Sequence, residues 1–202
     1  MKTENHTLRA LSRGITLIAA LGLSVGALQA KDYVMTDHDI RWTGSMPAKT
    51  HEGLLPLKSF EADITDAGKV TALTAVVDMT AINVTDLEGK KRDKLTGHLK
   101  SDDFFHVAEY PTATFVLEEH KGDQFNGTLT IRGVSQKVTL PARVSGHPDR
   151  GWILSGNFEY DRNDFGVDYQ NSGFLGFIGA AKSKLIDDMI DVNVSVRLEP
   201  KG

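Results

Sequence analysis

The run IDVNVSVRL at residues 190–198 sets Ile190, Val192, Val194, Val196 and Leu198 against Asp191, Asn193, Ser195 and Arg197. Apolar residues at every second position need a backbone whose side chains point to opposite faces in turn, which is a strand with one dry and one wet side. A helix would scatter these five residues around its circumference. The same period returns upstream. Trp152, Leu154, Gly156, Phe158 and Tyr160 alternate with Ser155, Asn157 and Glu159, and Val138, Leu140, Ala142 and Val144 alternate with polar residues and Pro141. Leu73, Ala75, Val77 and Met79 share a face opposite Thr74, Val76, Asp78 and Thr80. One-sided strands of this kind belong to antiparallel sheets.

Turn residues divide the runs. Residues 66–69 predict a turn before the strand that starts at Val70, and Lys121-Gly122-Asp123 a turn into a strand over 125–132. Phe125, Leu129 and Ile131 are the apolar members of that strand, with Gly127 at the inward position between them. Gly133-Val134-Ser135-Gln136 is read as the hairpin turn into residues 137–144, where Pro141 predicts an edge or a bulge because it cannot donate a ladder hydrogen bond. Nearer the start, residues 33–35 and 40–42 are short strand candidates. Residues 44–58, broken by Pro47, Gly53 and Pro56, are expected to be loop ahead of a strand over 60–64. Residues 173–181, GFLGFIGAA, are apolar without a period and read as a flexible or short helical cover. About eight strands at this spacing make an antiparallel barrel or sandwich, and a closed sheet of that size holds either packed side chains or one small ligand.

Residues 92–115, RDKLTGHLKSDDFFHVAEYPTATF, break the period. Residues 88–99 are charged with few apolar side chains, and Ser101 followed by Asp102 and Asp103 is expected to cap a second short helix carrying Phe104 and Phe105. Pro111 forces Tyr110 into an extended conformation, and Ala113, Phe115 and Leu117 then share one face of a strand.

Within that stretch, HLKSDDFFHVAEYPTATF resembles the central signature of the YceI-like family of periplasmic, lipocalin-like lipid-binding proteins. GTLTIRGVSQKVTL at residues 127–140 is similar to the hairpin that follows the signature, and DRNDFGV at residues 161–167 to the family's Arg-x-Asp-Phe-Gly segment. The three matches keep the family's order and, with the strands between them, span Tyr33 to Leu198. The resemblance implies an all-β fold, an antiparallel lipocalin-like β-barrel with one or two short helices and an elongated apolar cavity. It also implies a bound polyisoprenoid or isoprenoid quinone and no cofactor. Thr96-Gly97 reads as an insertion relative to the family pattern, and residues 46–60 match it poorly.

The residues available to line such a cavity are Leu99, Phe104, Phe105, Phe115, Leu129, Ile131, Trp152, Phe158, Phe165, Leu175 and Phe177. A quinone oxygen or a pyrophosphate needs donors at the mouth, for which Arg92, His98, Lys100 and Arg162 are the candidates. Catalytic and metal patterns are missing. His38, His51, His98, His106, His120 and His147 stand on separate segments without a His-Glu-x-x-His or His-x-His spacing, and beyond residues 1–30 no Gly-x-Ser-x-Gly elbow or phosphate loop occurs. An enzyme acting on a small lipid remains the rival reading, and a His beside an Asp or Glu on an inward face would raise it. Asp161, Asp164 and Asp168 around Arg162 are expected to form a turn and an ion pair.

Residues 1–30 have the anatomy of a secretory signal peptide. Lys2, Arg9 and Arg13 precede an apolar run over residues 14–28 that is short for a membrane span, and small residues follow at Ala27 and Ala30. Cleavage is expected after Ala30, with Ala27 second, leaving one domain over residues 31–202 in the periplasm or secreted. With the leader's three bases and Glu4 gone, 20 basic and 26 acidic residues remain, a net charge of −6. That balance argues against nucleic acid or an anionic membrane surface as partner. Strands that pair an apolar face with Thr, Asp, Asn and Arg argue against stable membrane insertion as an outer-membrane barrel. The chain has no cysteine, so stability has to come from the sheet and its core. Oligomeric state is left open, a homodimer included.

Overall fold

A computed structural model describes residues 32–46, 49–169 and 187–201. The leader, Leu175, Phe177 and the apolar cover at residues 173–181 lie outside the described residues. The strands are β1 (Tyr33–Met46), β2 (Lys49–Leu54), β3 (Leu57–Ile64), β4 (Val70–Asp78), β5 (Asn83–Val84), β6 (Thr112–Lys121), β7 (Gln124–Ile131), β8 (Val134–Pro141), β9 (Arg143–His147), β10 (Gly151–Asp161) and β11 (Met189–Pro200). One α-helix, α1 (Gly89–Lys100), and short 3-10 turns at Met79–Ala81 and Arg162–Phe165 complete the described elements. None of these helices is long and apolar enough to cross a membrane.

The all-β expectation holds, with a change in how the sheet is organised. Among the described residues the ladders form two antiparallel sheets, in the orders β5-β2-β1-β11-β10-β9 and β3-β4-β6-β7-β8, rather than one hydrogen-bonded cylinder. Their inner faces share a single apolar core. The chain passes straight from a strand of one sheet to a strand of the other at two corners, β2 to β3 and β8 to β9. At the first, Leu55 N–H donates to Ile40 O and Leu57 N–H to His38 Nε2. At the second, Ala142 N–H donates to Asp123 O.

Three sequence expectations change for identifiable reasons. Residues 33–35 and 40–42 are parts of one strand, interrupted only by a bulge between Met35 and Asp37 that keeps the dry face on one side. Much of the expected loop over 44–58 is strand, because β2 pairs with β1 through Trp42↔Gly53 and Gly44↔His51. Gly53 is permitted there because a Cβ would stand 2.6 Å from the Trp42 indole nitrogen, so the ring lies across it. Pro56 breaks nothing, since it sits in the corner between sheets. The strand expected over 137–144 splits at Ala142, its first part lying on an edge, as Pro141 requires, and its second pairing with β10.

The β7–β8 hairpin turns at Arg132-Gly133, one position ahead of the expected segment. Both residues have positive φ, 49° and 73°, the pattern of a two-residue turn of type I′. Ser101 also changes role. It ends α1 rather than beginning a helix, with its N–H and its Oγ both donating to His98 O. Phe104 and Phe105 then lie on turns, not on a helix, and both are buried. Arg132 fixes this segment, donating to Asp102 O at 3.0 Å and to Gly166 O.

Candidate ligand cavity

Between the two inner faces lies a cavity with about 210 Å³ open to the centre of a water-sized sphere. Room for a single water takes roughly 10–15 Å³ on that measure, so the space holds much more than a solvent molecule. Its wall is built in cross-strand rows. On the six-stranded sheet, Ile40, Val194 and Gly156 form one row and Trp42, Val192 and Phe158 the next. Leu73, Ala75 and Val77 of β4 face them with Ala113 and Phe115 of β6 and Phe125, Leu129 and Ile131 of β7. Met79, Ile82, Leu95, His98, Leu99, Phe104 and Phe105 close one side from α1 and the turns next to it.

Gly127 shows how tightly part of this wall is fitted. A Cβ there would lie 2.3 Å from Val116 O and 2.8 Å from the Phe115 ring, so Phe115 occupies the inward space the glycine vacates. The space inward of Gly127 is thus filled by protein, and the empty volume lies elsewhere along the strands.

Leu99, Phe104, Phe105, Phe115, Leu129, Ile131 and Phe158 line the cavity, and so does His98. The His98 ring meets the edges of Tyr169 at 4.5 Å and Phe104 at 5.8 Å between centroids. Trp152 and Phe165 are buried but stand behind the wall, the first beside Gly68 and the second edge-on to Tyr160. Arg92 and Lys100 border a separate open depression with Asn83, Asp93 and Thr96. Arg162 is no mouth residue. It is fully buried, donating through Nε to Asp187 O at 3.1 Å, through one terminal nitrogen to Val167 O and through the other to Asp188 Oδ1 at 3.1 Å. The ion pair expected with its sequence neighbours is made with Asp188 instead, while Asp161 caps the following 3-10 turn by accepting from Asn163 N–H at 2.8 Å.

Sequence reasoning missed much of the wall on β1, β4, β10 and β11, although strand alternation pointed to it. It also missed His51 and Tyr160, both of which line the cavity. Asp86 accepts from His51 Nδ1 at 2.7 Å and from Glu52 N–H at 3.1 Å. Burial works against the Asp86 charge, yet these hydrogen bonds outweigh it and hold the carboxyl below its ordinary value. The Tyr160 phenol is pushed up, first by burial, with Arg162 acting in the opposite sense, so it stays a neutral O–H.

Two facing antiparallel sheets around an apolar cavity, with a helix at its side, define an all-β protein of the lipocalin-like kind. The chain belongs to the YceI-like domain family, whose family model matches residues 36–198. A UPF0312 protein of Enterobacter sp. (strain 638) is 36% identical over 99 residues, 47% of this chain and 50% of that protein. The chain thus spans about half the length of the curated relatives it matches. Among solved structures it is similar to a polyisoprenoid binding domain from Saccharophagus degradans implicated in plant cell wall breakdown, with a TM-score of 0.61 and 13% identity over 85% of this chain and 99% of that one. Burkholderia cenocepacia BcnA gives a TM-score of 0.60 with 19% identity over 79% and 95%. At these identities the likeness shows the fold.

Proposed function

We propose that this protein is an exported, soluble binding protein that carries or sequesters a polyisoprenoid or isoprenoid-quinone-like amphiphile, in the periplasm or outside the cell. The observation that carries this reading is the cavity, whose wall is almost entirely aliphatic and aromatic. Such a wall suits a prenyl tail, because burial stabilises the bound chain by about 0.8 kcal/mol per CH2 without an exact map of hydrogen bonds. The similarity to a domain described as polyisoprenoid binding supports the same ligand class. Native mass spectrometry of protein from its own host, followed by lipid extraction, tests it. A prenyl lipid in the extract is the expected result. Ligand-free protein that also takes up no prenyl lipid in titration refutes the carrier reading.

One observation favours a second reading, an enzyme acting on a small lipid. His51 and Asp86 form an imidazole–carboxylate pair on the cavity wall, the arrangement of a general base. Prenyl esters incubated with the protein test it, since turnover that is lost in His51→Phe is required.

A further inference from the structure

We propose that His51, positioned by Asp86, is the hydrogen-bond acceptor by which this cavity selects an amphiphile bearing a free hydroxyl. The inference rests on the carrier reading and specifies the head group.

Both oxygens of Asp86 are engaged, Oδ1 by Glu52 N–H and Oδ2 by His51 Nδ1. A carboxylate only accepts, so Nδ1 carries a proton, and whenever the imidazole is neutral its lone pair is on Nε2. His51 Nε2 makes no hydrogen bond among the described residues, and His51 is a wall residue. The His51 side chain keeps 18% of its surface accessible, so Nε2 is open to an entering molecule, and a cavity occupant pairs with this acceptor only by bringing a donor. Prenyl alcohols and hydroquinones carry an O–H. Quinones, ethers and esters do not.

Register supports a head group at this level. His51 is opposite Gly44, Gly44 is opposite Ile190, and Ile190 is opposite Tyr160, so the four lie in one row across β2, β1, β11 and β10. At about 4.8 Å per strand the ends of the row are roughly 14 Å apart along the backbone. Gly44 adds no side chain beside His51, and Ile190 Cδ1 and the Trp42 ring border that position at 3.5 and 3.7 Å. At the far end Tyr160 keeps its phenolic proton and supplies a donor, so the row presents an acceptor at one end and a donor at the other. Trp42, in the neighbouring row, offers nothing comparable, because its indole N–H is sealed off beside Gly53.

The test uses delipidated full-length protein and two probes that differ by one proton donor, geranylgeraniol and its methyl ether, titrated calorimetrically. The wild-type protein is expected to bind the alcohol about three- to tenfold tighter, the contribution of one net hydrogen bond. In Asp86→Asn the amide oxygen is kept by Glu52 N–H, so the NH2 faces Nδ1 and drives the imidazole proton to Nε2. The alcohol preference is then expected to vanish or reverse. His51→Phe should bind both probes with similar affinity. Equal affinities in the wild-type protein overturn the proposal and leave the carrier reading standing, whereas binding of neither probe overturns both. An Asp86→Asn protein that melts like the wild type and keeps its alcohol preference also overturns it, since a merely structural Asp86–His51 contact predicts that result. Should that variant not fold, the wild-type ratio decides.

Discussion

Arg162 and His51 are both polar side chains set among apolar ones, and the protein treats them in opposite ways. Around Arg162 the chain supplies its own acceptors, two backbone carbonyls and the Asp188 carboxylate. Around His51 it supplies one partner and, among the described residues, none for the second ring nitrogen. A buried polar group whose bonds are completed by protein holds the fold together, because every partner it satisfies is exposed to a penalty if it leaves. A wall group left half-satisfied and partly accessible pairs with water in the empty protein and can exchange it for a ligand's donor. The contrast separates structural from functional polarity within one core, and it can be attacked at either end.

The largest effect is expected at Arg162. Arg162→Met should lose about 2–5 kcal/mol in denaturant unfolding, since the carbonyls of Val167 and Asp187 lose their donor along with the broken pair to Asp188. His51→Phe should cost less, about 1 kcal/mol, since Asp86 loses the imidazole donor but keeps Glu52 N–H and is partly open to water. A destabilisation by His51→Phe as large as that by Arg162→Met would erase the contrast.

A second comparison within the wall comes next in size. Gly127 and Ala75 are both small residues on the inner faces, but Gly127 abuts the Phe115 ring and Val116 O while Ala75 borders the cavity. Gly127→Val is expected to cost at least about 1–3 kcal/mol from overpacking. Ala75→Leu should change stability by less than about 1.5 kcal/mol while reducing prenyl lipid uptake, because its added volume takes ligand space. Thermal melts and lipid titration of the two variants together sharpen the boundary between filled core and open cavity.

Strand periodicity made the sheets legible because each strand has one dry face, and Val192 or Leu73 can be placed inward from that rule alone. The rule failed where pairing overrode local breakers. Gly53 looked like a loop residue until Trp42 lay across it. Ser101 looked like the start of a helix because acidic residues follow it, yet its hydroxyl and N–H turn back to His98 O. The polar residues were harder still. Arg162 stands among Asp161, Asp164 and Asp168 in the sequence, but its carboxylate partner is Asp188, 26 positions away. His51 and Asp86 are 35 positions apart, and only the pairing of Gly53 with Val84 and Leu54 with Asn83 brings the Asp86 carboxylate alongside. No local spacing announces such a pair, which is why a motif search passes over it.

The smallest effect concerns polarity on the wet side of the same wall. Glu159 is next to Tyr160 on β10 but points outward, opposite Asp191 on β11. Its carboxyl is raised above its ordinary value of 4.5, first by a shared hydrogen bond with Asp191, then by the Asp191 charge, with slight burial and Asp187 adding to it. A group whose folded value is raised contributes stability while protonated, and that contribution is lost as pH climbs through the raised value. Glu159→Gln should therefore be more stable than the wild type near pH 7, and the difference should shrink as pH falls toward 4. Solvent screens this pair, so the gain should be small and should fade further in high salt. Melting temperatures of the two proteins across that pH range, at low and high salt, provide the check. A gain that persists unchanged at pH 4 would mean that Glu159 acts through packing rather than through its charge.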